Sequence, residues 1–502
     1  MSAPLAAEED RTYGMWTKPR REGLWGLTWG VTLAGFAAIV LAIMSFAMAG
    51  PTVGITVAIT EIAVLAPAAI SIDGRTTYER VSMVLTWMRA RRRGETTYRS
   101  GAFSWLGSCR LPGLMAASEL SEFVTGAGER FGQIHIPSQH LYTVMLRTWP
   151  QGARAVDQPM VNQWVAAWGQ FIASLGGQAD IVQIAAVTDT VPETGNRLAA
   201  EVEGLTVPTA PDLARQIMYE LAAELPSDSV RSESWISITF RAMTPARRKS
   251  AEEQAVEIGR RLPGIGKALA DAGVRTRPMT AAEITALLRR AWDPAAESDL
   301  ETAAELGLAH GIDWAEAGPV AYREAADHLW HDGTASVTWE MKAAPMGTVR
   351  ERVLQRLLEP NPDVPRKRVA LIYRPHSAGE ATAIVDDDLR DALTGQNASR
   401  NGLGSAHATL RVAAAEQARD EQARGHGVTR FGVLITITTP DHAGETADLP
   451  SIDAIARDLA VQARLKIRRC HRYQSATFAA GLGAGVVLPE MATGPHVGKV
   501  IP

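Results

Sequence analysis

Two apolar segments near the start of the chain, Leu24 to Ala49 and Val53 to Ile72, restrict what it can fold into more than anything that follows. The first runs 26 residues without a charge, and the second carries a single one, Glu61. At about 1.5 Å rise per residue, either is long enough for the ~30 Å hydrocarbon core of a bilayer. Only Gly50, Pro51 and Thr52 separate them. The pattern predicts a tight transmembrane hairpin over 24–74, preceded by a cytoplasmic N-terminus at 1–23. The first segment is too long for a signal-peptide core and no A-x-A-like site closes it, so it is expected to stay in the mature protein.

The flanks set the expected orientation. Lys18, Arg20 and Arg21 precede the hairpin, while Arg75, Arg80, Arg89, Arg91, Arg92 and Arg93 follow it. Cationic flanks stay cytoplasmic, which predicts a cell-membrane protein with both termini, and everything after residue 75, inside. Trp16, Trp25 and Trp29 suit the headgroup boundary, where an indole can be half wet. Residues 75–100 form a basic juxtamembrane segment in which Tyr78, Val81, Leu85 and Met88 recur at helical spacing. Two readings of it stand: an amphipathic helix resting on anionic lipid of the inner leaflet, or a plain positive-inside stop signal.

About 400 residues remain, enough for two or three ordinary domains. A formal net charge of −4 and a pI near 6.3 argue against a nucleic-acid-binding polycation. Two cysteines, Cys109 and Cys470, supply neither a disulfide framework nor a zinc site.

The rest reads as an α/β (α+β) cytoplasmic region of two strand-helix lobes. In the first, 101–247, strands are expected at Leu141–Trp149 and Ile181–Val191. A helix starts near Pro159, with Asp157 as cap. Ile236, Ile238 and Phe240 alternate with Ser237, Thr239 and Arg241, the period-2 pattern of a one-sided sheet. A helical connector follows over 248–330, with capping-box spacing at Ser250/Glu253 and Thr280/Glu283. In the second lobe, 331–502, Val337, Trp339 and Met341 alternate with Ser336, Thr338 and Glu340. Strands at Val369–Tyr373 and Val433–Ile437 follow, separated by helices near 346–359 and 405–424. The similar order of the two halves suggests a structural duplication, without a sequence repeat behind it.

No catalytic signature assembles. Gly264-Ile265-Gly266-Lys267-Ala268 lacks the hydroxyl and the earlier glycine that a P-loop needs. Leu262 to Lys267 also imitates a helix-hairpin-helix turn, but a helix C-terminus explains it. His328, His331 and Asp332 have metal-ligand spacing and read better as a surface loop. Asp386, Asp387 and Asp388 suit the first turn of a helix, where its dipole favours carboxylates. Ser405 is expected to cap the helix that follows it. No cofactor, metal ligand or catalytic residue is assigned.

The interaction candidates are Glu61, Arg91, Arg92 and Arg93, and the run Arg464, Lys466, Arg468, Arg469, His471 and Arg472. Glu61, costly in mid-span, pairs with a partner subunit or is simply protonated. The C-terminal run is a solvated face or a surface for an acidic partner, lipid or DNA.

A hairpin followed by Asp73-Gly74-Arg75 and a basic amphipathic segment resembles the PrgI-type small inner-membrane proteins of conjugative secretion systems. Arg99-Ser100-Gly101 through Leu111-Pro112-Gly113-Leu114, Tyr142-Thr143-Val144, Trp164-Val165-Ala166-Ala167-Trp168-Gly169 and Pro192-Glu193-Thr194-Gly195 are similar to strings in actinobacterial conjugation-associated integral membrane proteins. These fuse the hairpin to a region that looks like the non-ATPase N-terminal half of CagE/TrbE/VirB-type secretion ATPases. The resemblance implies a non-catalytic scaffold of a type IV-like DNA-transfer apparatus, an oligomer that anchors a separate motor ATPase beside other inner-membrane subunits. The alternative is an EccE-like assembly component of type VII secretion.

Overall fold

The computed structural model describes residues 11–14, 16, 29–72, 75–104, 107–152, 156–207, 209–224, 230–345, 347–361, 363–364, 366–398, 406–425, 427–441 and 449–492. Lys18, Arg20, Arg21, Trp25, Asp73, Gly74 and Gly402–Ser405 lie outside them, as does the side chain of Trp29.

The apolar segments fold as helices α1 (Trp29–Ala49) and α2 (Pro51–Ala69), with Gly50 at φ 87° turning the chain between them. Both are long and apolar enough to cross a membrane, and only 6 % of each apolar window is buried against protein. Strands β1 (Ser71–Ile72) and β2 (Arg75–Thr76) pair at the hairpin's base. Helix α3 (Thr77–Arg92) then starts at a capping box: Thr76 Oγ1 accepts from the Glu79 amide, and Glu79 Oε2 accepts from the Thr76 amide at 3.0 Å.

The chain continues through β3 (Thr97–Arg99), β4 (Glu119–Val124), β5 (Arg130–Ile136), β6 (Leu141–Pro150), α4 (Gln158–Gly176) and β7 (Ile181–Pro192). Next come α5 (Asn196–Leu205), α6 (Asp212–Glu224), β8 (Val230–Arg241), α7 (Pro245–Lys249), α8 (Ala251–Asp271), β9 (Val274–Pro278), α9 (Ala281–Trp292) and α10 (Glu297–Glu305). Strands β10 (Ala321–Glu324), β11 (Leu329–His331) and β12 (Thr334–Ala343), helix α11 (Gln355–Leu358), β13 (Arg366–Pro375), α12 (Ala378–Ala398) and α13 (Ala406–Ala423) follow. The last elements are β14 (Thr429–Pro440), α14 (Leu449–Gln462), β15 (Lys466–Arg469), α15 (Gln474–Gly481) and α16 (Leu488–Met491).

Strands β3 to β15 join in one 13-stranded antiparallel sheet of order β3-β10-β11-β12-β14-β13-β7-β8-β6-β5-β4, with β15 added against β12 and β9 against β6. One arrangement occurs twice in it. The run β6–α4–β7–α5–α6–β8–α8–β9 lies in the order β9-β6-β8-β7, and β12–α11–β13–α12–α13–β14–α14–β15 in the order β15-β12-β14-β13. Both are split β-α-β units with a helix pair between second and third strands. They are not the two separate lobes expected from sequence. Each ends in an exposed edge of unpaired N–H and C=O groups, and those edges pair, from Lys367↔Thr190 to Tyr373↔Ile184. Helix α8 and strand β9, assigned to a connector, complete the first unit. The helix expected near 346–359 shrinks to short turns over 351–358.

One face of the sheet is a conventional apolar layer. Phe171 and Leu175 of α4 and Ile258, Leu262 and Leu269 of α8 pack on Val144, Ile184, Ile236 and Ile238. Leu357 of α11 and Leu459 of α14 cover Val369, Val433 and Ile435. The opposite face corrects the one-sided reading. Its small polar residues point not to water but into a second buried layer under α15 and residues 482–488. Hydroxyl pairs cross that layer, Thr143–Thr239 at 2.9 Å, Ser336–Thr438 at 2.7 Å and Thr338–Thr436 at 3.0 Å. Gln474 accepts from the Thr338 amide at 2.8 Å, and Trp235 Nε1 donates to the Leu482 carbonyl at 3.0 Å. Satisfied in this way, hydroxyls cost little to bury. Gly485, at φ 88°, passes so close that a Cβ would lie 2.6 Å from Thr143 Oγ1.

The seam between the units carries charge. Asp189 on β7 sits opposite Arg368 on β13 and accepts from both Arg366 and Arg368 at 3.0 Å. Burial would raise its carboxyl, and the two guanidiniums hold it below the usual range instead. Nearby, Glu233 on β8 meets Arg147 at 3.2 Å and Arg290 of α9. Burial opposes its charge, but Arg290 and Arg147 bring it down to about 2.

Candidate functional site at the hairpin–sheet junction

The hairpin is fixed to the sheet through one carboxylate. Glu340, toward the end of β12, is fully buried (0 %) and faces the layer under α15. Strand β15 lays Arg468 opposite it in register, and Arg468 Nε donates to Glu340 Oε1. Arg75 of β2 brings Nη2 to 3.0 Å from the same oxygen and 2.6 Å from Tyr473 Oη. Tyr473 in turn donates to Glu340 Oε1 at 2.9 Å, and its ring centroid lies 4.9 Å from the Arg75 guanidinium. Met83 of α3 closes the cluster against Arg75. Arg75, read from sequence as one of the cationic flanks of the hairpin, is buried here beside the fully buried Glu340.

Taking each of these ions out of water costs several kcal/mol, so the cluster holds only while its members compensate one another. Burial would lower Arg468, yet Glu340 keeps it above its ordinary value. Burial, reinforced by Glu340, pushes the Cys470 thiol up, and burial likewise raises the Tyr473 phenol. Cys470 is therefore a thiol and not a thiolate nucleophile. The arrangement suits mechanical attachment: it ties β2, α3, β12, β15 and the start of α15 to one point.

The other candidates fall in different places. Within the basic run, Arg469 turns inward over Trp339, 5.6 Å from the ring, and meets Asp327 at 3.3 Å. Arg464 donates to the Thr348 carbonyl at 3.1 Å, while Lys466 is exposed. The run is thus divided between the joint and solvent rather than forming one basic surface. Arg91, Arg92 and Arg93 are exposed at the end of α3, with Arg91 over the Trp87 ring and Arg93 3.6 Å from Glu95. Glu61 is half-buried on α2, and its Oε1 has no hydrogen-bond partner among the described residues.

Several sequence readings change. Trp16, exposed on one side, packs edge-on to Phe431 of β14 with ring centroids 6.2 Å apart. Gly264 to Lys267 lie inside α8, which runs through Pro263 without a turn. His331 is core rather than loop: Nδ1 donates to the Trp292 carbonyl and Nε2 accepts from Ser336 at 2.8 Å. Burial, with Arg366 and Arg368 behind it, lowers its pKa to about 4. Asp386 to Asp388 sit in the middle of α12, where Asp386 pairs with Arg419 at 3.2 Å and Asp387 with Arg390 at 2.6 Å.

Sequence reasoning missed Glu340 and Tyr473. The alternation placed Glu340 on a solvent face, and nothing local marks a partner 265 residues away. The available signal was the run of small residues after Gln474, the composition of a segment that lies flat on a polar sheet face.

A family model described as a domain of unknown function (DUF8461) matches residues 20–79, the hairpin and the start of α3. No curated protein matches the chain. The matched segment contains Arg75 but not Glu340, so the joint connects it to the remainder of the chain.

Proposed function

We propose that this chain is a non-catalytic membrane scaffold of a conjugative, type IV-like secretion apparatus, anchoring a separate motor ATPase at the cytoplasmic face. The observation that carries the reading is the Arg75–Glu340–Arg468 joint, which ties the base of the apolar hairpin to the 13-stranded sheet. A protein that merely tethers a soluble domain needs only a flexible linker; a scaffold that bears load needs a fixed attachment. The resemblance of the hairpin and of the short strings to conjugation proteins supplies the apparatus, and the arginines after α2 supply the cytoplasmic orientation.

The test is a mild-detergent pull-down of the tagged full-length protein from its native membranes, read by mass spectrometry. Recovery of an ATPase with a Walker motif supports the scaffold. Recovery of type VII components in its place, or nucleotide hydrolysis by the purified chain alone, overturns it.

A further inference from the structure

Helix α3 has two apolar sides. Met83 points into the joint and is buried. On the opposite side Tyr78, Val81, Leu85 and Met88, spaced three, four and three residues apart, form an unbroken stripe, each exposed by 39 to 49 %. Four large apolar side chains on one outward face of a single helix are not the scattered exposure of an ordinary surface.

We propose that this face of α3 is an interfacial membrane-binding surface, which lies in the headgroup region and takes the phosphates of anionic lipids with Arg89 and Arg92. The proposal rests on the hairpin spanning a bilayer, and not on the secretion reading. Continuity argues for lipid. The stripe begins where the apolar hairpin ends, and Tyr78 Oη donates to the Val64 carbonyl of α2 at 2.5 Å, so the first residue of the stripe is already in contact with the membrane span. Charge argues for the anionic class. Arg89 and Arg92 fall on the same side as the stripe by helical spacing, are exposed, and have no ion-pair partner among the described residues. A phosphate accepts two parallel N–H bonds from such a guanidinium. The buried side of α3 makes the contact orienting: held on Glu340 through Arg75, the helix fixes the β12–β15 end of the sheet next to the bilayer.

The test uses full-length protein carrying Cys109→Ser, Cys470 being buried, with an environment-sensitive fluorophore at Leu85→Cys or at Thr86→Cys, an exposed neighbour off the stripe. The protein is reconstituted in phosphatidylcholine vesicles with and without phosphatidylglycerol. The expected result at position 85 is a blue shift and loss of most quenching by aqueous iodide, greater with phosphatidylglycerol and reversed by Arg89→Gln with Arg92→Gln, while position 86 stays quenched. A label at 85 that iodide quenches fully in both vesicles overturns the proposal, as does equal shielding with and without phosphatidylglycerol. Shielding that persists in detergent together with crosslinking between copies overturns it in favour of a protein interface. Protease protection of the hairpin in the same vesicles scores the spanning reading separately.

Discussion

Replacing Arg75 by alanine removes one of the two guanidiniums on Glu340. Deleting one partner of an isolated buried pair costs about 3–5 kcal/mol. Here Arg468 and Tyr473 still donate to Glu340 Oε1, so the carboxylate is not orphaned and the expected cost is lower, about 2 kcal/mol. The loss is local, because the rest of the sheet does not depend on β2. It is read by hydrogen exchange with mass spectrometry on the full-length protein in detergent, over peptides covering 77–92 and 466–473. If exchange there proceeds through local opening, about 2 kcal/mol accelerates it by roughly 30-fold, with strands β7 and β8 unchanged. Glu340→Gln should be worse, since it leaves two buried guanidiniums without a counter-charge. Equal protection in wild type and Arg75→Ala would refute the claim that this pair fixes hairpin to sheet.

His331, lowered to about 4 in the fold against 6.5 unfolded, is neutral when folded; its contribution is complete above pH 6.5 and is lost as pH falls toward 4, by about 3 kcal/mol. Urea unfolding of the chain across that window, compared with His331→Asn, should show a shallower slope in the variant, the rest of it belonging to His135, His376, His471 and the ion-paired carboxylates. Asp189→Leu strands Arg366 and Arg368 in the seam and should destabilise the sheet by about 3–5 kcal/mol, measured as a lower unfolding midpoint. Gly485→Ala forces a Cβ against Thr143 at a positive φ and should cost about 1–3 kcal/mol, seen as faster proteolysis of the C-terminal segment.

The sequence alone determined the apolar hairpin, because span length and lack of charge are properties of contiguous residues that need no partner. It also determined the central strands and two helix starts: Thr280 and Glu283 form the full capping box, while Ser250 caps Glu253 from one side. Local hydrogen bonds decide these features, and local residues encode them. Only the tertiary structure decided that the two split β-α-β units share one sheet, since β7 and β13 are brought together by edge pairing between segments some 180 residues apart. It also decided that the polar side of the alternating strands is interior. Period-2 alternation reports that two faces differ, but not what lies against the second one, and the covering segment comes from residues 474–488. The joint follows from the same physics. A lone glutamate in a strand is indistinguishable from a surface residue until Arg75, Arg468 and Tyr473, distant in sequence, converge to compensate its burial.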